Sequence, residues 1–354
     1  MSRFRTARTT TTLGAILLAT LVVSGCATPP DSEESEGSFC AVMVTNSGGL
    51  EDRSFNQSSW EGLQQAEGDL DIAAQVLVSE TETDLAPNVE QAVATGCDFV
   101  LTVGYELAPA TAEQGELNPD VDFAIVDELV DGANIKPIVY DTAQAAFLAG
   151  YLAAGVSETG VVATFGGGNQ PPVTLFMDGF VDGVARYNAD TDSSVEVLGW
   201  DKVDQDGVFT GDFEDINKGR QTAQAFIDQG ADVILPVAGQ VGQGAAAAAV
   251  EADDVSIIWV DNDGYETLPE EYRGIVLTSV LKNTGDAVVE IVGQSIDGTF
   301  DNDAFVGTLE NGGVALAPFH ELESLVSAEL AEQLDALEAE IVEGSLEVTS
   351  PSTP

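Results

Sequence analysis

Residues 39–63, FCAVMVTNSGGLEDRSFNQSSWEGL, decide how this chain is read. The run 39–44 is apolar, short and bounded, as a buried strand is. Asn46, Ser47, Gly48 and Gly49 then break regular structure. Ser54, with Gln57 three residues on, is a capping-box pattern that starts a helix, and residues 58–66 continue it. A strand thus leads through a glycine loop into a helix N-terminus. Free backbone N–H groups and the positive dipole end favour polar ligands there. In open α/β sheets, ligands gather at this carboxyl end of the strands. Phe55 takes the first helical position, which leaves two readings: an aromatic wall at the mouth of a site, or a hydrophobic plug beneath the loop.

The same alternation repeats downstream. Strands are expected at 73–78, 98–103, 121–126 and 138–140, with helices at 84–95 and 106–114. Residues 143–155 read as an apolar helix between two lobes. The pattern then restarts, with strands at 161–165, 195–200, 232–237, 256–260 and 275–279. Helices are expected at 173–187, 217–229, 244–251 and 284–296, and a last one at 327–342. Strand–helix alternation builds parallel sheets with right-handed crossovers. The fold class is therefore α/β: two doubly wound lobes with a ligand cleft between them. Chain crossings are expected near residues 141, 262 and 310. They assign 39–141 plus 263–310 to lobe 1 and 142–262 plus 311–354 to lobe 2.

The 354 residues suffice for two such domains. With 11 Lys plus Arg against 61 Asp plus Glu, the net charge is −50, which argues against nucleic acid because its phosphates would be repelled. Arg3, Arg5 and Arg8 precede an apolar core at 13–23, a targeting segment too short to span a bilayer. It ends in Val23-Ser24-Gly25-Cys26, a lipobox-like pattern, so residues 1–25 read as a signal peptide and Cys26 as the acylated N-terminus. Cleavage there removes three of the 11 cations, and 8 − 61 leaves −53. Residues 26–38 are polar and acidic and read as a tether, which places the protein on the outer face of the cell membrane through a lipid anchor.

Inventory narrows the chemistry. Beyond Cys26, only Cys40 and Cys97 remain, and His320 is the only histidine, so zinc sites, Ser-His-Asp triads and Cys-His pairs are nearly excluded. In a lobe with strand order 2-1-3, Cys40 and Cys97 start neighbouring strands. A disulfide and two buried thiols are both open. The run Gly239-Gln-Val-Gly242-Gln-Gly244 lacks the spacing of a dinucleotide fingerprint and reads as a loop that lets backbone approach a small ligand. The acidic clusters at 204–207 and 261–264 lack calcium-loop spacing. Lys282, Asp261 and Asp127 each end an apolar strand, so this fold would bring them to one cleft. No metal, cofactor or nucleophile–base pair is expected.

The segments MVTNSGGLEDRSFNQSSWEGL, FAIVD (123–127), AAFLAGY (145–151), GADVILPVAG (230–239), WVDND (259–263) and LTSVLKN (277–283) resemble the basic membrane protein family. That family consists of bacterial surface lipoproteins similar to periplasmic binding proteins and includes purine-nucleoside receptors of ABC importers. The resemblance implies the type I periplasmic-binding-protein fold, a monomer that works with ABC permease subunits, and no catalysis. It also implies roles. Phe55 and Phe213 would sandwich the purine, with Phe209 as the rival for the second place. Asn46 and Asp127 would face the base, Gly239, Asp261 and Lys282 the ribose, and Asn56 of the SFNQ segment would also bind the ligand. The family often has Asp where Asn46 stands, which leaves base preference open. A sugar, flavin or signal-molecule receptor on the same fold, a sensor partner of a membrane kinase and a secreted α/β enzyme are the alternatives.

Overall fold

In the computed structural model, which describes residues 39–252 and 254–354, the opening run becomes strand β1 (Cys40–Val44) and the following helix α1 (Phe55–Leu70). The first lobe continues with β2 (Ala73–Leu77), α2 (Leu85–Ala94), β3 (Phe99–Val103), α3 (Ala108–Leu117), β4 (Asp122–Val126) and β5 (Ile135–Tyr140). The second begins with α4 (Thr142–Val156), β6 (Val161–Gly166), α5 (Pro171–Thr191), β7 (Glu196–Leu198), β8 (Trp200–Asp201) and β9 (Asp206–Gly207). It goes on through α6 (Ile216–Ile227), β10 (Val233–Val237), α7 (Gly242–Glu251), β11 (Ser256–Asp261), α8 (Gly264–Thr267) and β12 (Val276–Lys282). The remainder is α9 (Thr284–Asp297), β13 (Phe305–Gly307), β14 (Val314–Leu316) and α10 (Ala328–Val342).

Two six-stranded sheets result, ordered β13-β5-β4-β3-β1-β2 and β14-β12-β11-β10-β6-β7. Only β14 runs antiparallel within them. Central strands such as FVLTV in β3 and VILPV in β10 are buried throughout, because helices cover both faces of each sheet. The expected strand at 195–200 breaks in two at Gly199, which has φ +91°. Strands β13 and β14, three residues each, carried too little pattern to be expected.

The expected crossing near 262 is corrected by the sheet pairing. β12 pairs with β11 from Ile257–Val276 to Asp261–Leu281, so it belongs to the second sheet. The chain crosses after Lys282 instead, and α9 then packs against α1 in the first lobe, where a Cβ on Gly62 would stand 2.4 Å from Gly285 Cα. Residues 263–282 are therefore part of lobe 2. The mistaken boundary has a plain cause: a parallel strand pairs by burial, and IVLTSVL in isolation fits either sheet. The other crossings follow β5 at Asp141 and lie between β13 and β14. The crossings are laced together, with Asp141 N donating to Gly307 O at 2.8 Å and Asn283 N to Gly313 O at 2.9 Å.

β1 lies between β2 and β3, and a disulfide joins Cys40 to Cys97 at the ends away from the cleft, with Cα atoms 4.8 Å apart. The expected signal peptide, acylated Cys26 and tether lie outside the described residues. Among the described residues, no helix is long and apolar enough to cross a membrane.

Candidate ligand-binding cleft

Strand ends from both sheets converge on one cleft between the lobes. Lobe 1 contributes Asn46 after β1, Tyr105 and Glu106 after β3, Asp127 after β4 and Phe55 at the start of α1. Lobe 2 contributes Gly239 after β10, Asp261 and Lys282 at the ends of β11 and β12, Phe176 on α5 and Phe213 ahead of α6.

Lys282 is the centre of charge. Its Nζ donates to Asp127 Oδ2 at 2.7 Å and stands 3.6 Å from Asp261 Oδ1. The rings of Phe55, Phe176 and Tyr140 surround it at 4.9, 5.5 and 5.6 Å from their centroids, so cation–π attraction adds to the ion pairs. Burial disfavours the ammonium, but the two carboxylates outweigh it, and the pKa of Lys282 rises above its ordinary value. Asp127 is also pushed up by burial, against the pull of Lys282. The direction that governs the cluster is that of Lys282, because two anions face one cation and the cation stays charged.

Asp127 and Asp261 adopt left-handed backbone, with φ +66° and +69°. Asp tolerates that region better than most residues. It turns both carboxylates off the strand ends and into the cleft.

The start of α1 departs from the capping box. Ser54 makes no capping bond; its hydroxyl donates to Asp261 Oδ2 across the lobes. Asp52 takes over, accepting N–H bonds from Ser54 at 3.1 Å, Asn56 at 2.7 Å and Gln57 at 3.1 Å. Burial raises Asp52 to about 6, although those three N–H groups pull it back.

Asn46, Phe55, Asp127, Phe213, Gly239, Asp261 and Lys282 all line the cleft. Asn56 does not: it is buried behind Asn46 and gives its Nδ2 to Asn46 Oδ1 at 2.6 Å, so it positions a wall residue. Phe209 does not either, for it packs edge-on against Trp200 at 5.9 Å. Asp52, Tyr105, Glu106, Gln170 and Phe176 line the cleft without having been singled out. Tyr105 and Glu106 follow β3 as Asn46 follows β1, so the strand-end rule would have found them. Burial also raises Glu106, against its own N–H and the Tyr105 hydroxyl.

Several bonds hold the lobes together around the cleft. Trp259 Nε1 and Thr267 Oγ1 both donate to Arg53 O at 3.1 Å, and Asn262 Nδ2 donates to Ser54 O at 3.1 Å. On the other side Gln170 Nε2 donates to the Tyr105 hydroxyl at 2.7 Å.

Residues 39–351 match the family model described as "ABC transporter substrate-binding protein PnrA-like" (Bmp). The chain belongs to this family. A Bmp protein is the extracytoplasmic substrate-binding component of an ABC transporter, so a small-molecule ligand and permease partners come with the assignment. The chain is 30% identical to the ABC transporter nucleoside-binding protein BmpA of Lactococcus lactis subsp. cremoris, over 96% of this chain and 98% of that one. It is 28% identical to a CD4+ T-cell-stimulating antigen of Listeria innocua, over 95% and 96% of the two chains. Among solved structures, a solute-binding protein of an ABC transporter system from Aeropyrum pernix K1 superposes with a TM-score of 0.79 at 20% identity, over 88% of this chain and 94% of that one. That likeness shows the two-lobed periplasmic-binding-protein fold in this Bmp member.

Proposed function

We propose that this protein captures purine nucleosides for an ABC importer, tethered to the outer face of the cell membrane by acylated Cys26, and performs no catalysis. The observation that carries the reading is one cleft with Phe55 from lobe 1, Phe213 from lobe 2 and the Asp127–Lys282–Asp261 cluster at the strand ends. Two aromatics on opposite lobes suit a flat ring, and aromatic pairs of this kind contribute about 0.5–1.5 kcal/mol beyond area burial. Asp261 suits a pair of ribose hydroxyls, since a carboxylate accepts two bonds at once, and Lys282 and Gly239 complete that end. Asn46 and Asp127 face the base.

The charge of the cleft narrows the class further. Asp52, Glu106, Asp127 and Asp261 outnumber the single Lys282, so a phosphorylated ligand would be repelled and an uncharged nucleoside is favoured. Closure of the lobes over the ligand signals occupancy to the permease. The nucleoside-binding relative in Lactococcus lactis supports the same class.

Calorimetry tests the assignment. Asp261→Ala is expected to weaken a ribonucleoside at least tenfold, and more than its 2′,3′-dideoxy analogue. Phe55→Ala is expected to weaken both equally, because it touches only the ring. Equal losses for Asp261→Ala would overturn the ribose assignment, and no nucleoside binding by the wild type would overturn the function.

A further inference from the structure

We propose that the cleft selects a 2-amino-6-oxopurine, the base of guanosine, through Asn46, Glu106 and Gln170; this rests on the nucleoside reading above. The Asn46 amide is fixed in one orientation. Its Oδ1 accepts from Gly48 N–H at 3.1 Å and from Asn56 Nδ2 at 2.6 Å. A backbone N–H only donates, so the atom facing Gly48 must be the oxygen, and the Nδ2 donor is the end left for a ligand.

Beside it, Gly104 lies bare with φ +115°. A Cβ there would stand 2.8 Å from Glu106 Oε2 and 3.3 Å from Asn46 Nδ2, so an acceptor and a donor flank the same point of backbone. Glu106 Oε2 is buried without a hydrogen-bond partner. Across the cleft, Gln170 spends its Nε2 on the Tyr105 hydroxyl, which leaves Gln170 Oε1 buried and unpartnered as well. Tyr105 is the chain neighbour of Glu106, so this bond brings the two orphaned acceptors near one another.

The wall therefore offers one free donor and two unsatisfied acceptors. The Watson–Crick edge of guanine is the complement: the O6 acceptor, the N1–H donor and the N2 amino group. Hypoxanthine lacks the amino group. Adenine presents a single amino group beside a ring nitrogen that only accepts. Either of them leaves a buried acceptor unpartnered, which costs its full desolvation penalty. Sites built to bond a ligand group reject the analogue without it far more strongly than apolar pockets do.

Titration calorimetry of the protein with guanosine, inosine and adenosine tests this. Guanosine is expected to bind at least tenfold tighter than either of the others. Glu106→Gln is expected to cut the preference for guanosine over inosine below threefold, with a thermal melt checking that the variant folds; if it does not fold, the wild-type ratios decide. Inosine or adenosine binding the wild type as tightly as guanosine overturns the proposal, as does a folded Glu106→Gln protein that keeps the tenfold preference. Binding of none of the three overturns the nucleoside reading itself.

Discussion

The two lobes repeat one plan and differ where it matters. Their sheets share an order, so β4 corresponds to β11 and β5 to β12. Asp127 after β4 and Asp261 at the end of β11 are counterparts, both in left-handed backbone and both aimed at the same ammonium. One position further along the sheet the symmetry breaks. Register places Tyr140 of lobe 1 where lobe 2 has Lys282. A symmetric pair of carboxylates would repel across the cleft. A cation from one lobe alone turns that repulsion into the bond that closes them.

The largest effect expected from breaking this asymmetry comes from Lys282→Met. It leaves Asp127 and Asp261 facing each other in a dry site, and losing one partner of a buried ion pair destabilises by about 3–5 kcal/mol. Tyr140→Phe, at the matching position, is expected to change stability by less than about 1 kcal/mol, because the hydroxyl it deletes has no hydrogen-bond partner. Urea unfolding of the two variants measures the contrast. Equal losses would show that the position, and not its charge, carries the stability.

A second asymmetry is covalent, since the described cysteines, Cys40 and Cys97, are both in lobe 1. With a sequence separation of 57, the chain-entropy model gives the bond a value of roughly 4 kcal/mol, and measured losses for native bonds run from about 2 to 5. Cys40→Ser is expected to lower the unfolding midpoint accordingly. Thiol counting on unfolded, unreduced protein checks the bond, and two free thiols would remove this difference between the lobes.

The smallest effect concerns the helix starts. α1 is capped by buried Asp52, whereas α5 begins at Gln170 with no side-chain cap. The folded pKa of Asp52, about 6, lies above its ordinary value of 3.8, so folding favours its protonated form. The associated stability is complete below about pH 4 and is lost as pH rises through about 6, by roughly 2–3 kcal/mol. Asp52→Asn should flatten the stability profile between those pH values. A wild-type profile that rises over that window would contradict the assignment.

Much of the fold was legible because parallel strands buried on both faces must be apolar runs. FAIVD, GADVILPVAG and WVDND announced three of them, and each carries a residue that reaches the cleft: Asp127, Gly239 and Asp261. Asp127, Asp261 and Lys282 were singled out by their place at strand ends, whereas Phe55 was left between wall and plug and Asn46 came from the family resemblance. Glu106 was not singled out, although it follows β3 as Asn46 follows β1, because one carboxylate among 61 acidic residues does not stand out by its charge. Asn56 was misplaced by one layer, because proximity in SFNQ does not say which amide faces inward.

The sequence by itself determined the α/β alternation, the polar strand ends and the scarcity of cations that makes Lys282 stand out. Only the tertiary structure decided that β12 joins the second sheet, that Phe213 and not Phe209 enters the cleft, and that Ser54 abandons its own helix for Asp261. The reason is physical. Local pattern fixes which face of an element is apolar, but partners across the cleft are set by closure of two lobes, and closure is a long-range event that no window of residues encodes.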